Sequence, residues 1–149
     1  MNYIFILQDK LSFLWEIGIP FLVALTVLVF VHEFGHYIVA RWCGVRVETF
    51  SVGFGNELKG WTDKYGTRWK IAAIPLGGYV KMFGEKDEID EVSENGNNPR
   101  SMTQEEKEVS FFHKSLLQRA LIVFAGPFIN FVFAVILLGL LYSTLGVPS

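Results

Sequence analysis

Residues 29–42 read VFVHEFGHYIVARW. Two histidines and a glutamate, His32, Glu33 and His36, interrupt a run that is otherwise apolar from Ile17 to Ala40, apart from Thr26 and Tyr37. A helix of that length rises about 36 Å at ~1.5 Å per residue, enough to cross a hydrocarbon layer of about 30 Å. Ionisable groups at membrane depth cost at least a few kcal/mol each and commonly mark function. The stretch therefore predicts a membrane-spanning helix over 17–40 with chemistry inside it.

Residues four apart share a helix face, so His32 and His36 can reach one ion at about 2.0–2.1 Å from each ring. Glu33 lies about 100° round the helix from His32, close to such an ion without being placed to ligate it. The pattern is H-E-x-x-H, the zinc-protease spacing. Zinc held there lowers the pKa of a bound water to about 7. Glu33 is then the candidate base that takes the proton and passes it to a leaving amine. His32 lies about 13 Å along the helix from Arg41, so the site falls in the inner half of the layer that Arg41 borders.

The same reading extends to the rest of the chain. The 149 residues are 51% hydrophobic with 14 Phe, and the apolar residues collect in two runs with the charges between them. The second run, Ala120 to Tyr142, has Asn130 as its one strongly polar side chain. Ser115 and Gln118 form a Ser-x-x-Gln capping box ahead of it, which predicts a second spanning helix over 117–142 that starts near Leu116. Two such helices need more covering shell than a soluble protein of this length supplies. The length of the first run and the lack of a small-residue cleavage site after it do not read as a cleaved signal peptide. Of the 13 Lys and Arg, 12 lie between Arg41 and Arg119, which predicts a cytoplasmic 41–119 segment and both termini on the far side. The net charge of −2 gives no sign of nucleic-acid binding. Cys43 is the single cysteine, so no internal disulfide forms.

Between the spans, VRVETFSVGFG (45–55) alternates and then shifts phase near Thr49, as a bulged or broken strand does. ELKGW and TRWKIAAI flank the turn-like TDKYG, and IPLGG leads into YVKMF. The region 44–83 is expected to form three or four short strands in an antiparallel meander. Residues 84–114 are charged and rich in turn formers, and read as a mobile polar loop in which Thr103 and Glu106 are spaced to cap one short helical turn. Residues 1–16 read as an N-terminal interfacial segment or entry to the first span, and 143–149 as the start of a far-side segment. The expected fold is an α-helical integral membrane protein with a small β element, a single incomplete domain over 1–149.

Asn130 lies one turn beyond Gly126 and Pro127, which permit close packing and a kink. Its amide either binds a substrate carbonyl or oxyanion, or makes a bond between helices. His113 is read as a surface residue.

Three segments in order, VHEFGHYIVARWCGVRVETFSVGFG, IPLGGYVKMFGE and AGPFINF, resemble the amino-terminal part of the site-2 protease family of intramembrane zinc metalloproteases, nearest its bacterial regulator-of-sigma-E branch. The resemblance implies a zinc cofactor with His32 and His36 as ligands and Glu33 as catalytic base. It implies that Gly53, Phe54 and Gly55, with the hairpin through Gly77, Gly78 and Tyr79, form a β element toward the site that could hold substrate as an added strand. It implies a bacterial inner-membrane location and single-span membrane-protein substrates, such as anti-sigma factors or signal-peptide remnants. The family takes its third zinc ligand from an aspartate in a later helix; Asp9, Asp63, Asp87 and Asp90 do not lie in an apolar helix, which leaves three readings open: a fragment of a longer protein whose C-terminal portion supplies the ligand, a truncated gene product, or another subunit that supplies it. Two competing readings are an inactive pseudoprotease that binds membrane proteins and a metal carrier built on the paired histidines.

Overall fold

The computed structural model describes residues 12–84 and 102–146. Most of the N-terminal segment and most of the polar loop read from the sequence lie outside the described residues. A single π-helical turn, Leu14–Gly18, leads into helix α1, Ile19–Trp42. Two strands follow, β1 (Val47–Thr62) and β2 (Arg68–Met82). The short helix α2 (Gln104–Val109) and a 3-10 turn (Phe111–His113) precede helix α3, Leu116–Leu145.

The helix ends follow from local chemistry. Pro20 sits in the first turn of α1, where its missing N–H has no intrahelical partner to lose. At the other end Gly44 takes φ +70°, its amide donates to the Arg41 carbonyl at 3.0 Å, and the Val45 amide donates to Ala40 at 2.9 Å. This is the paired closure of a Schellman motif, and it folds Val45 back onto the buried Ala40. Both predicted capping boxes form, Thr103 with Glu106 on α2 and Ser115 with Gln118 on α3.

Helices α1 and α3 are each long and apolar enough to cross a membrane. A core helix of a soluble protein would pass the same length test, but it would be buried. None of the most apolar 18-residue stretch of the first helix is buried, and 17% of that of the second. Apolar surface of that extent requires an apolar surrounding.

The sheet departs from the expected meander. It consists of two long antiparallel strands, not three or four short ones. Glycines bend the strands without ending them: Gly53, Gly55 and Gly77 take φ of +89°, +85° and +124°. Each strand therefore pairs twice. Residues 47–52 of β1 face 78–82 of β2, and residues 57–62 face 68–72. Residues 49–52 also face 68–71, from Thr49–Arg68 to Val52–Ile71, and the register shifts where the sequence loses phase near Thr49.

Helix α1 presents three faces. Phe30, Phe34 and Tyr37 meet the fully buried Phe50 of β1 at ring-centroid distances of 5.7, 6.5 and 5.8 Å, and Trp69 of β2 stacks on Phe50 at 4.4 Å. Thr26, Val29 and Glu33 lie along β2: the Thr26 hydroxyl reaches the Pro75 carbonyl at 3.3 Å, and Gly78 sits against Val29 and Glu33. His32, Gly35 and His36 meet α3. A small core of Ala40, Val45, Val47, Met82 and Ile122 closes the end of the helix pair nearest Arg41.

The turn between the strands is tied to α1 by one carboxylate. Asp63 Oδ1 accepts from the amides of Tyr65 (2.8 Å) and Thr67 (3.0 Å), and Oδ2 accepts from the Trp69 indole (3.0 Å) and the Tyr37 hydroxyl (3.4 Å). Partial burial pushes the Asp63 carboxyl up, but these donors outweigh it and hold the group below its ordinary value.

Candidate metal centre

His36 Nδ1 lies 2.7 Å from the Ile122 carbonyl, and His32 Nδ1 lies 3.2 Å from Asn130 Nδ2. The two pairs run in opposite senses, so α1 and α3 are antiparallel, and Ile122, Gly126 and Asn130 form one stripe at successive turns of α3. Gly126, midway in the stripe, faces both rings. A Cβ built there would lie within 2.7 Å of Nε2 of both His32 and His36. The two Nε2 atoms thus converge on a space that only the absence of a side chain keeps open. The imidazole centroids are 4.8 Å apart.

The carbonyl partner settles the His36 tautomer. A carbonyl only accepts, so Nδ1 carries the proton and the neutral ring keeps its Nε2 lone pair for the Gly126 gap. A ligating histidine commonly has its outer nitrogen bonded to a carbonyl in this way. Close helix contact makes the arrangement possible: a Cβ at Gly35 would meet the Ala125 carbonyl at 2.7 Å. Pro127 adds to it. Lacking an N–H, it removes one bond from the α3 ladder directly beside the Ile122 turn.

The donor set fits a metal in part. Two convergent imidazole nitrogens suit a transition metal such as zinc, whose catalytic sites take three protein ligands. Among the described residues no group of three His, Cys, Asp or Glu is placed to hold an ion. Glu33 is half-buried beside the pair and lines, with His36, Val80, Met82, Phe111 and Ile122, a cleft of about 190 Å³.

The remaining candidates are distributed as follows. Gly78 touches Glu33, with its own Cβ position 3.3 Å from Glu33 Cγ. Tyr79 stacks on Phe54 at 6.3 Å, and Gly77 is held free of a side chain by the Phe54 ring. Gly53 and Gly55 shape the bend of β1 and do not reach the histidines. His113 faces the Ser110 hydroxyl at 3.2 Å. Two contributors were not legible as such: the Ile122 carbonyl, which no side-chain pattern announces, and Gly126 as the gap itself. The i, i+4, i+8 stripe of 122, 126 and 130 opposite a His pair is the signal that would find them.

A membrane helix whose paired histidines face a side-chain-free gap, with a glutamate at a strand edge, defines a metalloprotease type of site, and the chain belongs to peptidase family M50, whose model matches residues 20–148. Among curated relatives it is similar to the regulator of sigma-E protease RseP of Escherichia coli, 50% identical over 139 residues, which are 93% of this chain and 28% of the relative. Protease RseP of Yersinia pestis is 49% identical over 139 residues, again 93% of this chain and 28% of the relative. A Brucella suis protein named "Putative zinc metalloprotease" is 48% identical over 128 residues, 86% of this chain and 33% of the relative. The chain thus spans about a third of the length of the relatives it matches. The resemblance to site-2 proteases is borne out.

Proposed function

We propose that the chain is the amino-terminal part of a zinc-dependent intramembrane endopeptidase, with 1–149 forming a single incomplete protease domain. The observation that carries this reading is the convergence of the two Nε2 atoms on the Gly126 gap with Glu33 alongside. His32 and His36 are the ligands, and a third comes from a portion outside these residues. When bound, zinc polarises the scissile carbonyl and activates water for attack.

The protein's own residues do the rest. Glu33 accepts the proton of the attacking water and returns it to the leaving nitrogen. Residues 78–80 pair with β1 on one side in the sheet register, and Gly78 brings that strand against Glu33. An unwound segment of a single-span membrane protein, added along this edge, has its freed backbone groups satisfied at membrane depth. Gly77, Gly78 and Tyr79 contact it there, while Gly53, Phe54 and Gly55 support the bend. Arg41, Arg46, Lys114 and Arg119 lie towards the same ends of the two helices, which supports a cytoplasmic side for the sheet at a bacterial inner membrane. Anti-sigma factors or signal-peptide remnants are the substrate class.

The test is Glu33→Gln in the full-length protein, with zinc content and cleavage of a single-span substrate followed together. Zinc is expected to stay within about twofold while cleavage falls by at least about 10²-fold. Cleavage that survives the substitution removes the assigned mechanism.

A further inference from the structure

Asn130 is the one strongly polar side chain of α3 at membrane depth, and its two ends have different fates. Nδ2 lies 3.2 Å from His32 Nδ1, and Oδ1 is buried without a hydrogen-bond partner. As placed, the amide donates to Nδ1. That leaves the proton of a neutral His32 on Nε2, the nitrogen that faces the Gly126 gap beside His36 Nε2. A protonated Nε2 cannot ligate a metal.

The amide has nearly the same shape when its ends are exchanged. Turned by half a rotation, Oδ1 accepts from His32 Nδ1–H, the NH₂ group takes the place that Oδ1 leaves, and the Nε2 lone pair joins that of His36. His36 already shows this arrangement, because its Nδ1 meets a carbonyl oxygen from the same stripe of α3. Ile122 and Asn130 stand two turns apart with Gly126 between them, so the stripe can offer one acceptor oxygen to each ring.

We propose that Asn130 is a positioning residue for His32: its carbonyl oxygen holds Nδ1–H and thereby fixes the metal-binding tautomer. This rests on the reading of His32 as a ligand. It assigns the amide to the histidine, not to the substrate carbonyl, and it predicts a metal-affinity effect that needs no substrate.

The experiment uses the full-length protein in detergent with Zn²⁺ alone as probe, titrated in competition with a chromophoric chelator. Asn130→Leu removes the acceptor at similar volume and is expected to weaken Zn²⁺ about 10- to 100-fold, and Asn130→Asp, which keeps an oxygen there, to bind within about threefold of the parent. Side-chain ¹⁵N spectra of the unsubstituted, Zn²⁺-loaded protein supply a readout that does not depend on any variant folding: His32 Nδ1 is expected to be protonated and Nε2 metal-bound. Zn²⁺ binding by Asn130→Leu as tight as that of the parent, or an unprotonated His32 Nδ1, overturns the assignment of Asn130. His32→Ala is the separating control: if it binds Zn²⁺ like the parent, the ligand reading falls as well, whereas its loss of Zn²⁺ with an unaffected Asn130→Leu protein overturns the positioning role alone.

Discussion

Gly126→Ala sets two effects of known sign against each other. Alanine is the better helix former by about 1 kcal/mol, so the substitution favours α3 as an isolated helix. The added methyl, however, falls within 2.7 Å of both Nε2 atoms, where a relaxed contact between carbon and a ring atom needs about 3.5 Å. The His32 ring must withdraw by roughly 0.8 Å and the His36 ring by roughly 1.1 Å, or the helices must part, and overpacking of this kind costs about 1–3 kcal/mol. Folding stability should therefore fall by between about zero and about 2 kcal/mol. Metal affinity should not be spared. Zinc–nitrogen distances tolerate about 0.2 Å, and a displacement several times larger at two ligands should weaken binding at least about 100-fold, near 2.7 kcal/mol. The assay is Zn²⁺ competition with a chelating dye, alongside circular dichroism to show that helix content is kept. Gly139→Ala is the control, since nothing lies within 4 Å of its Cβ position on the same helix. Zinc binding by Gly126→Ala within about threefold of the parent would refute the placement of the metal between these rings.

Two further perturbations test how the site is held. Asp63→Asn keeps one acceptor oxygen but puts an NH₂ group against either the two amides or the Tyr37 and Trp69 donors, so at least one set is left facing a donor; thermal unfolding in detergent should show a loss of about 1–3 kcal/mol. Because the folded-state pKa of Asp63 lies below its ordinary value near 3.9, its contribution is present above that pH and disappears as pH falls through the lower folded value, so tryptophan fluorescence of the parent should report loosening of the turn only below about pH 4, and that of Asp63→Asn should lack the transition. Gly35→Ala should be worse tolerated than its chemistry suggests: the Ile129 methyl can move aside, but the Ala125 carbonyl is backbone, so the melting temperature and zinc affinity should fall together, by about 1–3 kcal/mol in stability. A Gly35→Ala protein with unchanged melting and zinc affinity would mean that the helices do not meet at this point.

Much of this site can be read from residue spacing because its determinants are local. Four-residue spacing alone puts His32 and His36 on one face, and the ends of α1 and α3 follow from Gly44 and the Ser115–Gln118 pair. The sheet was harder for a physical reason. Gly53, Gly55 and Gly77 look like strand breaks in sequence, yet at positive φ they let a strand turn while its pairing continues on another partner. Gly126 was legible as a small residue, but its use as a gap depends on the antiparallel register of two helices about 90 residues apart in the chain. The Ile122 contact is made by a backbone atom, which every residue type carries, so no substitution pattern in a single sequence could disclose it.

The contact of Gly35 with Ala125, and of Gly126 with the histidines, has a mechanical consequence. The helices touch closest where the imidazoles lie, so this point acts as a fulcrum. A change of bilayer thickness alters helix tilt, and rotating α1 by about 10° about that point carries Ile19, roughly 24 Å away, through about 4 Å. Atoms within about 3 Å of the pivot move by only about 0.5 Å. The outer ends of the two helices can thus follow the thickness of the surrounding lipid while the paired histidines keep nearly the same place against Gly126.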